Sequence, residues 1–461
     1  MSKVLGIDSS TQSTKAVLVD ADDGTILAEQ RFLHPAGTEV DPAAWLRALT
    51  QSTTGLLEQA DAVAVGGQQH GMVALDSQDR VVRPALLWND TRSSSAAEDL
   101  VAELGGPAEA ARRTGSVHVA SITSTKMRWM RDNEADNARR THRVVLPHDY
   151  VSHALAVGGE WFTDRGDASG TGYFCPTSNA WAPELAAQAI GHDIELPTIA
   201  DHPAAVMGHT ATGAIVAAGT GDNMAAALGL NMSSGDISLS IGTSGVAAMV
   251  SDHPAMDPTG LVTGFADATG RWLPLVCTIN AAKILDLACT LLAVDHDELS
   301  RLSLQAPAGA NGAVLLPYLD GERTPNRPLA SGTLHGITSS TTRADIARAH
   351  VEALACSLTD AVEFLGQSTG QNPQRILLIG GAARSSAVRQ ILPAVLGREV
   401  SCPAPREYVA LGAAAQAAWA LAGGDTPPQW SQTQLEVVGA APTPQVLDAY
   451  RSLRDRTGSW T

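Results

Sequence analysis

Cysteine is scarce and scattered: Cys175, Cys277, Cys289, Cys356 and Cys402 make five, an odd number with no C-x-x-C pair. That spacing supports neither a zinc site nor a disulfide framework, and it fits reduced thiols in a cytosolic protein. No signal peptide is read ahead of the strand-like run that starts at Val4, and no unbroken apolar stretch is long enough to span a bilayer. Aromatic residues are few, at 4% of the chain, and positive charge is outweighed, with 31 Lys and Arg against 48 Asp and Glu. The resulting formal net charge of −17 argues against a nucleic-acid partner, whose contact surface is normally basic. Nucleotide binding stays open, because it needs local backbone N–H groups and a metal ion rather than a basic protein. Two phosphate-binding signatures are also missing. The chain has no G-x-x-x-x-G-K-[ST] run, and no G-x-G-x-x-G followed by a ribose-binding carboxylate, which excludes a P-loop and a dinucleotide fold.

Small residues take the place of the missing aromatics. Alanine and glycine (42 Gly) are abundant in 461 residues, a composition suited to tightly packed α/β layers. Length alone suggests two or three domains. Strand-like runs are predicted at Val4–Asp8, Ala16–Asp20, Thr25–Glu29, Ala62–Gly66, Val144–Leu146 and Ala214–Ala218. A six-residue hydroxyl-rich loop, Ser9–Thr14, joins the first two, and Asp22-Asp23-Gly24 turns the next hairpin. Helical patterns cover Pro42–Gln59 and Thr123–Glu134.

The second half opens in the same way. Ile237–Ile241 is followed by Gly242-Thr243-Ser244-Gly245 and then Val246–Val250, again strand, small hydroxyl turn, strand. Ile241 thus matches Ile7, and the repeat at mid-chain predicts two similar α/β lobes, residues 1–232 and 233–461, with a cleft between them. Thr342-Arg343-Ala344-Asp345 reads as a capping box opening a long helix. Arg375–Ile379 reads as a strand ending in Gly380-Gly381-Ala382, and a further helix starts near Tyr408. Residues 423–432 read as a loop before a short terminal helix.

Three glycine or hydroxyl turns after strands, at Asp8–Thr14, Gly242–Gly245 and Gly380–Ala382, present N–H groups that phosphate oxygens can approach closely. Asp8 ends a strand beside the first such turn, where a carboxylate can hold Mg²⁺ or close its own Asx-turn. Asp222, in Gly219-Thr220-Gly221-Asp222-Asn223, opens a helix-like run. It suits either an N-cap or a general base that takes a proton from an attacking hydroxyl. Gln69 and His70 lie in a glycine-flanked loop able to hydrogen-bond a polyol, and Trp88-Asn89-Asp90 adds an aromatic face beside polar groups.

Taken in order, these residues resemble the FGGY carbohydrate kinases of the actin/Hsp70/hexokinase-like superfamily. The resemblance rests on Gly6-x-Asp8-x-x-Thr11, Gln69-His70-Gly71, Leu87-Trp88-Asn89-Asp90, Thr123-x-x-Lys126-Met127 and Leu146-Pro147-His148-Asp149-Tyr150. It continues through Gly221-Asp222-Asn223, Ser240–Gly245, Leu316–Pro325, Gly332-x-Leu334-x-Gly336-Ile337 and Leu378–Ser385. His350 and Ala382 depart from the residues usual at their places. The resemblance implies a ribonuclease-H-like fold in each lobe and ATP-dependent phosphorylation of a ketopentose, D-xylulose foremost, in the cytoplasm. It implies Asp222 as base and Asp8 as a second carboxylate, both near Mg²⁺, with Gln69, His70 and Asn223 on the sugar. Thr11, Gln12, Ser13, Gly242 and Thr243 would meet phosphates; Gly380, Gly381 and Arg384 would lie near the adenosine. Neither a nucleic acid nor a membrane is implied as a partner, and a homodimer is suggested. Ribulose stays open as a substrate. Glycerol is disfavoured, since glycerol kinases typically carry Asn-Gln-Arg-Glu where this chain has Gln68-Gln69-His70-Gly71. A non-catalytic actin-like ATPase is the rival of another class.

Overall fold

Branched apolar residues alternating with small ones give β1 (Lys3–Ser9), β2 (Ser13–Asp20), β3 (Ile26–Leu33), β4 (Ala62–Gly67), β5 (Val206–His209) and β6 (Ile215–Ala217). In the computed structural model, which describes residues 2–430 and 435–460, they form a sheet in the order β5-β6-β4-β1-β2-β3. The meander β1-β2-β3 is antiparallel, β4 and β6 run parallel to β1, and β5 closes the edge antiparallel. A second sheet repeats the plan with β7 (Ile237–Ile241), β8 (Gly245–Met249), β9 (Leu275–Thr278), β10 (Ile376–Ile379), β11 (Val400–Pro403) and β12 (Leu435–Val438). Its order is β9-β8-β7-β10-β11-β12, with the same antiparallel meander followed by parallel strands and an antiparallel edge. β1 starts at Lys3 and β7 at Ile237, the spacing that also separates Ile7 from Ile241. Each sheet therefore belongs to a ribonuclease-H-like α/β unit, as the family resemblance implies, and the two units are alike, as the repeated strand–turn–strand pattern predicts.

The first unit comprises Met1–Met232, Val250–Pro274 and Arg406–Ser431; the second comprises Ser233–Met249, Leu275–Pro405 and Gln432–Thr461. Two late segments thus return to the first unit, across the single division at residue 232 that the sequence suggests. The helices used below are α1 (Ala43–Thr53), α2 (Thr123–Asn133), α3 (Pro147–Leu155), α4 (Arg165–Ala168), α5 (Asp222–Gly229), α6 (Arg343–Thr369), α7 (Ser386–Leu396) and α8 (Tyr408–Ala422). α6 opens on the expected capping box: Thr342 Oγ1 accepts from the Asp345 N–H at 3.2 Å, and Asp345 Oδ2 accepts from the Thr342 N–H at 2.8 Å.

Two predicted elements are shorter in the structure. α1 stops at Thr53, and a separate 3-10 turn covers Leu57–Gln59, so the helix read over 42–59 is broken at Gly55 (φ +76°). The hydroxyl-rich loop read over 9–14 shrinks to residues 10–12, because Ser9 pairs in register with Thr14 and the β-branched Thr14 extends β2. Of the loop read over 423–432, residues 431–432 lie outside the described residues. None of the five cysteines forms a disulfide, and among the described residues no helix is long and apolar enough to cross a membrane.

Helix α8 explains why the late segment returns. Its buried Ala410, Ala413, Ala414, Ala417 and Ala418 lie against Val4, Val17, Val19, Ala62 and Ala64 of the first sheet. Approach is so close that a carbon added at Gly6 would stand 1.9 Å from the Ala410 carbonyl oxygen. On its other flank α8 meets α5: a carbon added at Gly412 would stand 1.7 Å from the Ala225 carbonyl oxygen, and one at Gly229 2.2 Å from that of Tyr408. Backbone meets backbone here, which neither helix can relieve by turning a rotamer. Gly412→Ala should therefore destabilise the first unit by about 1–3 kcal/mol or more, the usual cost of overpacking. Urea unfolding measures this; a midpoint equal to that of the parent protein would show that the helices separate freely.

Candidate functional site

Parallel strands deliver their chemistry at their carboxyl ends. In the first unit Asp8 and Ser9 end β1 in register with Gly66 and Gly67 of β4, and the short strand Thr220–Gly221 pairs with the same two glycines. The residues that follow these strand ends, Gln68–His70 and Asp222–Asn223, emerge at the same edge as Asp8.

Asp8 is buried, and its Oδ2 lies 3.3 Å from Lys15 Nζ, which in turn reaches Glu407 Oε2 at 2.5 Å. Its other oxygen has no hydrogen-bond partner among the described residues. Asp8 thus closes no Asx-turn; it presents a bare oxygen from a strand. Burial pushes its pKa up to about 6, with Lys15 pulling the other way.

Asp222 is the first residue of α5, and Gly221 holds the N-cap position, so the capping reading gives way. The Asp222 Oδ1 accepts from the Asn223 N–H at 2.8 Å and from Asn223 Nδ2 at 3.1 Å. A helix N-terminus ordinarily favours a carboxylate. Desolvation outweighs that here and, with the charge of Asp8 nearby, pushes the Asp222 pKa up to about 7, although part of the residue stays accessible to solvent.

Asn223 ties the carboxyl to the loop after β4, since its Nδ2 also donates to Gln69 Oε1 at 2.9 Å. Gln69 Nε2 is buried without a hydrogen-bond partner among the described residues. His70 adopts φ +65°, with Nδ1 2.7 Å from the Gly170 carbonyl oxygen and the ring 5.4 Å from that of Phe265. Thr11 Oγ1 donates to Gln68 Oε1 at 3.2 Å and accepts from Trp88 Nε1 at 2.9 Å. Gln12 is exposed, whereas Ser13 is buried in β2 with its Oγ accepting from Arg31 Nε at 3.1 Å.

The remaining predicted residues lie in the second unit. Gly242-Thr243 turns β7 into β8, and Gly380-Gly381 follows β10; Ser240 pairs with Ile379, so the two turns are neighbours. Gly380 has φ +93°, and a carbon added there would stand 2.6 Å from the Ile241 carbonyl oxygen. Gly242, Thr243, Gly381 and Arg384 are exposed, leaving a surface of bare backbone and hydroxyl groups suited to a nucleotide.

Sequence reasoning missed three features of the first unit. Glu407 is one. A fully buried Lys126, donating to the carbonyls of Ala120 and Ser121 at 2.8 and 2.6 Å, is another, with burial pushing its pKa down to about 7. The third is a buried cluster of His148, Asp149 and Asp167. Lys126, His148 and Asp149 stood inside conspicuous runs without a role, whereas nothing local marks Glu407.

Comparison with known proteins bears on this arrangement. Residues 3–229 match the N-terminal domain of the FGGY family of carbohydrate kinases, and residues 237–421 match its C-terminal domain. The chain belongs to the FGGY family of carbohydrate kinases. For an FGGY kinase ATP is a substrate, and the two matched domains contain the two groups of residues just described. A xylulose kinase of Streptomyces coelicolor is 44% identical over 92% of this chain and 89% of its own. The crystal structure of xylulose kinase from Bifidobacterium adolescentis superposes with a TM-score of 0.91 at 43% identity, covering 98% of this chain and 99% of that one. Gluconate kinase from Lactobacillus acidophilus has the same fold, with a TM-score of 0.90 at 22% identity over 100% and 99% of the two chains.

The raised Asp222 pKa has a definite sign. Proton binding by the folded state exceeds that of the unfolded chain between the ordinary value of 3.8 and about 7, so this group's stabilising effect is full below the former and lost through the latter. Relative to the parent protein, Asp222→Asn should therefore gain stability between pH 5 and about pH 8 in metal-free buffer. A thermal-melt difference that does not change with pH would show Asp222 to be an ordinary solvated carboxylate.

Proposed function

We propose that this kinase transfers the γ-phosphoryl group of ATP to the 5-hydroxyl of D-xylulose, with Asp222 as general base. The observation that carries the reading is the chain Asp222–Asn223–Gln69, in which a partly accessible carboxyl of raised pKa is tied through one amide to a buried amide donor with no partner among the described residues. A proton acceptor and a hydroxyl-binding group are thereby held in fixed relation, which is what a sugar kinase has to supply. The similarity to xylulose kinases selects D-xylulose among ketopentoses. The likeness of fold to a gluconate kinase carries no weight on the sugar.

In the proposed step, Asp222 takes the proton as the sugar oxygen attacks the γ-phosphorus, and the bond from that phosphorus to the bridging oxygen breaks, releasing ADP. Gln69, His70 and Asn223 bind and orient the sugar. Thr11, Gln12, Ser13, Gly242 and Thr243 attend the phosphates, while Gly380, Gly381 and Arg384 attend the adenosine. The carboxyls suit Mg²⁺: the Asp8 oxygen with no partner among the described residues and the repulsion that helps raise Asp222 both call for a cation. Asp8 and Asp222 would hold it, and it would neutralise charge on the phosphates. Lys15, shared between Asp8 and Glu407, keeps Asp8 from collapsing onto another donor. We assign the enzyme to the cytoplasm, where its reduced thiols fit, and to a homodimer, the assembly that the family resemblance suggests.

ADP release measured against a panel of D-xylulose, D-ribulose, glycerol and gluconate tests the substrate. Turnover should be highest with D-xylulose; a clear preference for another sugar, or equal hydrolysis without any, would overturn the assignment. Asp222→Ala should lose about 10²–10⁴-fold in kcat, the usual worth of general-base assistance. Activity within a few-fold of the parent would remove Asp222 from that role. Gln69→Ala should raise KM for the sugar roughly 5- to 100-fold, the equivalent of a buried hydrogen bond left unmade, with KM for ATP unchanged. Equal effects on both constants would contradict a sugar contact.

A further inference from the structure

His148 lies on α3 and is fully buried beneath both loops that carry the candidate site. On one side a carbon added at Gly67, next to Gln68 and Gln69, would stand 2.8 Å from its Cβ. On the other a carbon added at Gly219, which has φ +71°, would stand 2.3 Å from its Nε2. The backbone and Cβ of His148 thus pack on Gly67 while its ring lies against Gly219, and both approaches need glycine.

The two ring nitrogens face opposite chemistry. Nε2 is 2.9 Å from the Ala218 carbonyl oxygen, which can only accept, so Nε2 carries a hydrogen. Nδ1 is 3.2 Å from Asp149 Oδ1 and 3.4 Å from Asp167 Oδ2. With both carboxyls ionised, a neutral ring protonated on Nε2 would point the Nδ1 lone pair at two carboxyl oxygens, all three groups being buried. A second proton turns that repulsion into two favourable contacts. Burial works against the imidazolium, and the close carboxyls of Asp149 and Asp167 outweigh it, holding the His148 pKa well above its ordinary value. The facing groups are Asp149 on α3 itself, Asp167 and Asp164 on and before α4, and the buried phenol of Tyr173 beside Asp149 and Asp167; burial pushes the Asp167 pKa up to about 8, so this carboxyl and the ring compete for the proton between them.

The segment leading to Asp222 is tethered at every residue. Ala218 receives His148, the Gly219 carbonyl receives Gln416 Nε2 from α8 at 3.1 Å, and Thr220 Oγ1 donates to Asp164 Oδ2 at 2.7 Å. Asp164 also accepts from the Gly166 and Asp167 N–H groups at 2.8 and 2.9 Å, so the same carboxyl caps α4 and anchors the segment.

We propose that His148, as a buried imidazolium clamped by Asp149 and Asp167, is the positioning residue that sets Asp222 and Gln69 in register with each other. It touches no substrate: its ring acts through Ala218 and Gly219, while its Cβ and backbone seat α3 against Gly67. The effect on turnover rests on Asp222 being the base; the charge state of the ring does not.

The test pairs His148→Gln, which keeps a donor for Ala218 but removes the charge, with His148→Lys, which restores it. His148→Gln should lose roughly 10- to 100-fold in kcat, since small displacements of reacting groups cost that much, with KM for ATP within about twofold. His148→Lys should recover most of it. Independently, nitrogen-15 NMR of the metal-free parent protein and of Asp222→Asn should show both His148 nitrogens protonated at pH 7.5. Parental kcat in His148→Gln, or a ring with a single proton in the NMR measurement, would overturn the proposal. So would one divalent ion per chain in the purified protein that is lost in His148→Gln, because a metal would then fill the place of the Nδ1 proton. If Asp222→Ala stays active while the ring is doubly protonated, the base assignment fails and the buried cation stands.

Discussion

The contact on which the first unit depends is the backbone-to-backbone approach of α8 to β1 and α5. A carbon at Gly6, Gly229 or Gly412 would stand 1.9, 2.2 or 1.7 Å from a facing carbonyl oxygen. Where side chains interdigitate, a helix can slide by repacking rotamers; where carbonyls meet glycine carbons, it has no such freedom. This is the physical meaning of a chain rich in alanine and glycine and poor in aromatics. It fixes α5, which opens on Asp222, and β1, which carries Asp8 near its end, on one helix. It also explains why a segment beginning at Arg406 belongs to the unit that begins the chain.

On that scaffold the chemistry is a matter of desolvation. Asp8 and Asp222 are pushed up to about 6 and about 7 by burial, each in spite of a group that favours its charge: Lys15 for Asp8, the helix N-terminus and the Asn223 N–H for Asp222. A base with a pKa near the working pH holds a proton well enough to remove one from a hydroxyl and is still about half ionised before the reaction. The amide chain through Asn223 to Gln69 converts that tuned carboxyl into an oriented one. Beneath it, the charged histidine and its carboxylates supply rigidity that apolar packing would give less specifically.

Much of this was legible in the sequence, and for a physical reason. Strand ends that open into loops interrupt apolar runs with glycine, hydroxyl and carboxyl residues, so Asp8, Gly67-Gln68-Gln69-His70 and Gly219–Asn223 stand out locally. The mid-chain repetition likewise reflects two sheets of one topology. What the sequence hid was tertiary. Thr14 looked like part of a loop until its pairing with Ser9 made it strand, and the helical pattern past Thr53 gave no sign that Gly55 would end it. Lys15 meets Glu407 only because α8 folds back, and His148 needs Asp167 from another helix to become more than part of a motif.

A structure of the kinase with D-xylulose bound addresses the central claim most directly. The 5-hydroxyl of the sugar should lie about 2.6–3.2 Å from an Asp222 carboxyl oxygen, the reach of a general base, with Gln69 Nε2 donating to another hydroxyl of the same molecule. A sugar bound with its 5-hydroxyl turned away from Asp222, or seated without contact to Gln69, would contradict the account.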